Sequence, residues 1–377
     1  MDPSDYVELR CRSAFSFLEG ASNPEDLAGR AAELGHRALA LADRGGVYGL
    51  PRFHQAARAA GLRAIHGATC RIGSGRTLAV APGPTSPPSP APAPGAPPDG
   101  ARSSARGGRG RVRAAPTPEP DAPALQLLVE SRAGYRNLCR LLTLGQARAP
   151  KGDCLASWDE LEEHAAGLVA LVRGDGRLSR AFLDRVQASF PGRTFVDVAR
   201  TRERSAEAEG RYAAALAEAA RVPVVATGDV RCARPEDRRV LDAMTCLHAK
   251  TSLDRAGRLL APNDERALRP PGETARRFAD RPAWVRASRT VAERCAFGLE
   301  DLGYRFPTFP VPPGETQDGW LRRLAFEGAR ERYGDPLPPR ARAQLEHELA
   351  VIAKLDLAGY FLIVWDLARF ARERGML

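Results

Sequence analysis

The sequence predicts an α/β fold, with parallel strands closed into a barrel, followed by a mostly helical region. Three observations carry that prediction. Short apolar runs alternate with segments of helical period from the first strand-like run onward. About seven such runs fall within roughly 230 residues, a number that suits a closed barrel such as the eight-stranded (βα) type better than a two-layer open sheet. From about residue 233 the strand-like runs stop and helical periodicity takes over. A β, α, β, α, β order implies parallel neighbours, because each helix carries the chain back across the sheet.

The first strand is YVELRC, residues 6–11. Side chains alternate along a strand, which puts Val7, Leu9 and Cys11 on one face and Glu8, Arg10 and Arg12 on the other. Asn23 then caps a helix with Pro24 at its first position and Glu25 and Asp26 in its first turn, ending near Gly35. ALALA, 38–42, has the length and flanks of a fully buried strand. PRFHQAARAA is a helix stopped by Gly61, and RAIHGATCRI is the third strand. Strands follow at LQLLVES (125–131), GLVALVRG, RTFVDVA and VPVVATGDV, separated by the helices GYRNLCRLLTLGQ, RLSRAFLDRVQAS and ERSAEAEGRYAAALAEAA. Beyond them PEDRRVLDAMTCLHA, GETARRFADR and WVRASRTVAERCA are helical. After the Pro-rich YRFPTFPVPPGE the chain is helical again, through DGWLRRLAFEGARERYG and PRARAQLEHELAVIAKLDLAGYFLIVWDLARFARERGML. In the last stretch Tyr360, Phe361, Ile363, Val364, Leu367 and Phe370 are expected to bury a broad helical face.

Residues 82–124 break the alternation. They hold almost no large apolar residue, so burial cannot offset their ordering entropy, and a disordered Pro/Gly/Arg-rich insertion is expected. Arg102, Arg106, Arg109, Arg111 and Arg113 within it could touch nucleic acid loosely. The chain carries 56 Lys+Arg against 46 Asp+Glu, a formal charge of +10, which permits attraction to an anionic polymer without demonstrating it. Lysine occurs only at Lys151, Lys250 and Lys354, so the arginine excess reads as a coding bias before it reads as a nucleic-acid patch. The seven cysteines include no C-x-x-C pair, which argues against a disulfide framework and a zinc ribbon. No signal-like N-terminal run and no stretch near the roughly 18 apolar residues of a membrane span is present, so a cytoplasmic location without a membrane partner is expected.

Parallel α/β architectures gather their chemistry at the carboxyl ends of strands, where loops converge. Those positions carry Arg10, Arg12 and Ser13 after the first strand, Asp43 and Arg44 after the second, Thr69 at the third, and Asp229 and Arg231 after the last. A hydrolytic metal centre needs imidazole, carboxylate or thiolate there. Guanidinium offers donors only and keeps its proton. The six histidines form no H-x-H or H-E-x-x-H pair, and His66 lies nearest a strand end.

YVELRCRSAFSFLEGAS, ALALADRGGVYG, IHGAT, VPVVATGDVRC and APNDERAL, in that order, resemble the PHP (polymerase and histidinol phosphatase) domain of bacterial C-family DNA polymerases (polymerase III alpha-like), especially their error-prone branch. ELAVIAKLDLAGYFLIVWDLARFARERGML resembles the segment entering the polymerase palm. The resemblance implies a distorted (βα)7-type PHP barrel over 1–232, a helical end of that domain over 233–303, and the start of the palm over 304–377. Metal-competent members carry H-x-H-S where this chain has Arg10, Cys11, Arg12 and Ser13, and T-D-H where it has Ala42, Asp43 and Arg44. A family glutamate is Thr69 here, and N-D-V-H is replaced by Gly228, Asp229, Val230 and Arg231.

These departures lead to the expectation of no catalytic residue and no metal in this chain, with Arg10, Arg12, Arg44 and Arg231 paired to Asp43 and Asp229 in the barrel mouth in place of an ion cluster. Arginines turned to solvent, or gripping a phosphate or nucleic-acid backbone, are the alternatives. The resemblance further implies Mg2+, DNA and deoxynucleoside triphosphates for an intact parent polymerase acting in damage-induced mutagenesis, with a sliding clamp and mutagenesis accessory proteins as partners. The family's paired catalytic aspartates follow R-F-A-R-E-R-G, so these residues alone are expected to be inactive. Arg369, Arg372 and Arg374 are candidate DNA-phosphate contacts. Rival readings are a free-standing PHP phosphoesterase and a nucleic-acid or protein-binding scaffold.

Overall fold

The computed structural model describes residues 6–73, 122–150, 152–302 and 306–376, in two compact units, Met1–Asp301 and Leu302–Leu377. The expected insertion at 82–124, with its arginines, lies outside the described residues except at its end. There Ala122 is buried and Ala124 opens a strand. Among the described residues no helix is long and apolar enough to cross a membrane.

The first unit has strands β1 (Glu8–Cys11), β2 (Ala38–Arg44), β3 (Arg63–Gly73), β4 (Ala124–Val129), β5 (Leu155–Ser157), β6 (Leu168–Arg173), β7 (Thr194–Ala199) and β8 (Val224–Thr227). Its helices are α1 (Pro24–Glu33), α2 (Leu50–Ala59), α3 (Arg132–Arg148), α4 (Trp158–Glu163), α5 (Arg180–Ser189), α6 (Arg204–Ala220), α7 (Arg238–Ala249), α8 (Leu253–Ala256), α9 (Pro271–Arg277) and α10 (Pro282–Arg294). The sheet runs β1-β2-β3-β4-β6-β7-β8, with β5 on the far part of β3. Its two edges nearly meet. Cys11 bridges Val230, the Arg12 N–H donates to the Val230 carbonyl at 3.0 Å, and the Val230 N–H donates to the Arg10 carbonyl at 2.8 Å.

The barrel expected from the sequence is present, but it is mixed rather than wholly parallel: β4 runs antiparallel to both β3 and β6. A parallel crossover needs a helix packed on the sheet, and the sequence between β3 and β4 supplies no helical period. The three-residue β5 was missed because it is too short to show any period.

Local signals built the surrounding helices. Asn23 exchanges bonds with Asp26 ahead of Pro24, and α1 buries Leu27, Ala28 and Ala31. Ser131, read as the end of a strand, instead caps α3 by accepting from the Gly134 N–H at 3.2 Å. Gly134 is required there, since a Cβ would lie 1.9 Å from the Gly167 carbonyl oxygen.

One core cluster gathers Val7, Leu9, Ala40, Ile65, Leu128, Leu171, Phe195 and Val225, thus drawing on every strand except β5, and it fills the barrel. Val291 and Ala292 of α10 close it at the amino-terminal strand ends, where the Val7 N–H donates to Ser288 Oγ at 3.0 Å. A second cluster packs α1 and α2 on the outside through Leu27, Phe53, Leu39 and Leu41. A register shift between Glu8 and Cys11 breaks the alternation expected of β1: Val7 and Leu9 join the inner cluster, and Cys11 the outer.

The second unit holds α11 (Gln317–Tyr333), α12 (Pro339–Lys354) and α13 (Ala358–Glu373). Leu321, Ala358 and Leu362 form its core with Trp320, Leu349 and Ile352. The continuous helix expected over 339–377 breaks at Asp356, whose φ is 53°. The broad buried face expected of α13 is corrected too. Tyr360, Phe361, Val364, Leu367 and Phe370 are exposed, because the unit's small core engages only the Ala358–Leu362 edge.

Candidate functional site

The carboxyl ends of the strands hold two linked groups of arginines and carboxylates. In the deeper one, Arg10 NH1 donates to Asp197 Oδ2 at 2.5 Å, and Arg10 Nε lies 3.0 Å from Asp229 Oδ1. Asp229 also pairs with Arg266, with Arg231 at 3.5 Å and with Arg173 at 3.8 Å, while Thr227 Oγ1 donates to Asp197 at 3.2 Å. Burial alone would raise the Asp229 carboxyl, but the charges of Arg10, Arg231, Arg266 and Arg173 overcome it and hold it well below the usual carboxylate range. Its φ of 47° is left-handed, a region aspartate tolerates better than most residues.

The outer group is built on Glu19, which was not singled out in the sequence. It accepts from Arg12 at 2.6 Å and from Arg44 at 2.5 Å, and these charges hold it below its ordinary value against its burial. Arg44 also reaches Asp153 at 3.3 Å, and Arg71 reaches the other oxygen of Asp153 at 2.5 Å. Burial, with the like charge of Arg10 beside it, brings the Arg12 guanidinium down to about 10, so it remains a cation at neutral pH.

Asp43 departs from expectation. It binds none of the four arginines; its oxygens accept from the Ser13 N–H at 2.7 Å, Ser13 Oγ at 2.7 Å and Ser16 Oγ at 2.6 Å. The cause is strand parity. Leu39, Leu41 and Asp43 face the outer cluster, whereas Arg44 is on the Ala40 side, within the barrel mouth. Burial raises the Asp43 carboxyl despite these bonds. Thr69 lies within β3 rather than at its end, in register with Arg44, and its hydroxyl donates to the Ala42 carbonyl at 3.2 Å.

Thus Arg10 and Arg231 reach Asp229 as expected, Arg12 and Arg44 are held by Glu19 instead, and Asp43 belongs to a serine turn. The missed Asp197 had a readable signal, a carboxylate in phase with Phe195 inside a buried strand. Glu19, Asp153 and Arg266 sit in loops without periodicity and had none.

His66 is packing, not site. It is buried against His54 and Phe297, and burial lowers it to about 4. Among the described residues no three His, Cys, Asp or Glu side chains converge as a metal set. Guanidinium has no lone pair to offer, and Asp43, Asp197 and Asp229 are each engaged by hydroxyl or guanidinium donors. This donor set does not suit a divalent cation. In the second unit Arg369 is tied to Asp366 at 2.7 Å and Glu373 at 3.2 Å, Arg374 stacks on Phe370, and Arg372 and Arg374 are exposed.

Residues 8–219 match the PHP domain model, and residues 319–377 match the model described as the bacterial DNA polymerase III alpha NTPase domain. Across 99% of its length the chain is 39% identical to an error-prone DNA polymerase of Mycolicibacterium paratuberculosis and 37% identical to one of Mycobacterium tuberculosis. It is 36% identical over its whole length to one of Alkalilimnicola ehrlichii. The chain spans about a third of the length of these curated relatives, 32% in each case. A solved amidohydrolase structure from Chromobacterium violaceum matches 60% of this chain and 87% of its own, with a TM-score of 0.37 and 14% identity. A near-closed mixed barrel and a family model covering more than half of the residues lead to one conclusion: this chain belongs to the PHP domain family.

Proposed function

We propose that the chain forms the PHP barrel and adjoining palm-entry segment of an error-prone DNA polymerase, and that its barrel is a metal-free structural support. One observation carries the reading: Arg10 spans Asp197 and Asp229 at the position where metal-competent members place imidazole. The partition proposed is a barrel over 1–232, its helical end over 233–303, and the palm segment over 304–377. The polymerase as a whole would extend a primer in damage-induced mutagenesis and translesion synthesis in the cytoplasm, using Mg2+, DNA and deoxynucleoside triphosphates. A sliding clamp and mutagenesis accessory proteins are its proposed partners.

The test is elemental analysis of the purified chain together with phosphate-ester hydrolysis in added Mn2+ or Zn2+. The expected result is substoichiometric metal and no stimulation; a stoichiometric ion, or hydrolysis that follows added metal, overturns the reading in favour of a phosphoesterase. A second reading, a nucleic-acid grip, is supported by the exposure of Arg372 and Arg374. It requires DNA affinity that falls steeply with salt and weakens when these two are replaced by Gln. Arg369, already paired, contributes less.

A further inference from the structure

The second unit is balanced in charge but not evenly so. Residues 306–376 hold ten Lys and Arg against ten Asp and Glu. Four of those arginines nevertheless border one groove of about 340 Å3 between α11 and α12. Arg322, Arg323, Phe326 and Arg330 fall at helical spacing on one face of α11, and Arg342 and Glu346 lie one turn apart on α12. Two of the arginines are engaged. Arg322 donates to Glu346 at 2.5 Å, and Arg323 meets Glu315 at 2.9 Å while stacking 4.1 Å from the Trp320 ring centroid. Arg330 and Arg342 are exposed, and neither makes an ion pair among the described residues. Glu346 is held below its ordinary value chiefly by its bond from Arg322, with the charge of Arg342 adding to it. Four guanidinium groups thus line the groove with one carboxylate, already in use, and half-buried Phe326 supplies an apolar wall.

We propose that this groove binds an acidic segment of a partner protein, with an apolar side chain on Phe326 and carboxylates on Arg330 and Arg342. Guanidinium forks match carboxylates, and two free cations beside an aromatic ring suit a segment that alternates acidic with apolar residues. A nucleic-acid strand fits less well. Its backbone carries a phosphate about every 3.4 Å and would run past Glu346 in the groove and Glu315 at Arg323, whereas a peptide can set its few carboxylates away from both. No bond is made or broken. The groove lies within the second unit alone, so the proposal stands whether or not the barrel holds a metal.

The experiment is fluorescence anisotropy of the full chain with three labelled probes at low salt: a short Glu/Asp-rich peptide with a central Phe, the same peptide with that Phe replaced by Ser, and an oligothymidylate of equal charge. The Phe peptide should bind saturably, and the Ser peptide about tenfold more weakly. Replacing both Arg330 and Arg342 by Gln should weaken the Phe peptide about tenfold while leaving the melting temperature within about 1 °C, because both side chains are exposed and unpaired. Arg372→Gln with Arg374→Gln, on α13 and its end, should leave peptide binding unchanged. No saturation up to about 1 mM Phe peptide, or binding that survives loss of Arg330 and Arg342, overturns the proposal. Equal binding of the Phe and Ser peptides overturns the role of Phe326 and with it the apolar anchor. Oligothymidylate that binds more tightly than the Phe peptide and weakens with the same two substitutions overturns it in favour of a phosphate-backbone surface. Each of these outcomes leaves the metal content of the barrel, measured separately, untouched.

Discussion

Asp229→Asn keeps the shape of a side chain at the centre of the deeper cluster and removes its charge. The carboxylate it replaces is buried, with Arg10, Arg231, Arg173 and Arg266 around it. Arg231 and Arg173 have 22% and 32% of their side chains exposed, so solvent screens most of what they lose. Arg10 and Arg266, at 7% and 18%, carry the larger share. Removing one partner of a buried pair costs roughly 3–5 kcal/mol. Because Asp197 still holds Arg10, the lower end applies, about 3 kcal/mol, or roughly 6–12 °C in melting temperature. The folded carboxyl is more acidic than the unfolded one, whose value is near 3.8, so its stabilisation is complete above that value and is lost as pH falls through the folded one. The deficit of the Asn variant should therefore be constant around neutrality and should narrow in acid. Circular-dichroism melts at neutral pH and below pH 3 measure both. A variant melting within about 1 °C of the parent at neutral pH, or carrying the same deficit in strong acid, would refute the reasoning.

Glu8 is buried, and burial raises its carboxyl to about 7 against the bonds it accepts from Tyr6, Arg10 N–H and Gly228 N–H. A raised acid contributes stability below its unfolded value of 4.5 and loses it as pH rises through about 7, a change of roughly 3 kcal/mol that Glu8→Gln should flatten in urea titrations. Equal pH slopes in parent and variant would contradict this. Asp43→Ala strands three buried donors and should cost about 3–5 kcal/mol, whereas Asp43→Asn, still an acceptor, should recover more than half. Equal losses for Ala and Asn would mean that charge, not hydrogen bonding, holds the serine turn. Gly134→Ala drives a methyl into the Gly167 carbonyl and should lose about 1–3 kcal/mol or more, read by the same melts; an unchanged melting temperature would show that the contact yields easily.

What could be read ahead of the structure divides along physical lines. Periodicity and caps marked seven of the eight strands among the described residues and the principal helices, because a buried strand or a helix face writes its pattern locally. Strand direction was not written that way: nothing in ALQLLV sets β4, which lies antiparallel to β3 and β6, apart from the parallel strands. At the site, the arginines were found from their positions after the strands, but their partners were not. Asp43 looked available until the parity of ALALADR turned it outward, and Glu19 became the actual partner from within a loop. The aromatics of α13 illustrate the limit of reading hydrophobicity as burial, since Leu367 is 64% exposed.

Guanidinium groups at the barrel mouth bear on acidity as well as on shape. Imidazoles in those places would titrate near neutrality, so the electrostatic balance at the opening would drift with its surroundings. Arg12, the weakest base among those for which burial matters most, still titrates only near 10. The guanidinium groups of the rim should therefore keep their charge around neutrality, where a histidine-built counterpart would change its own.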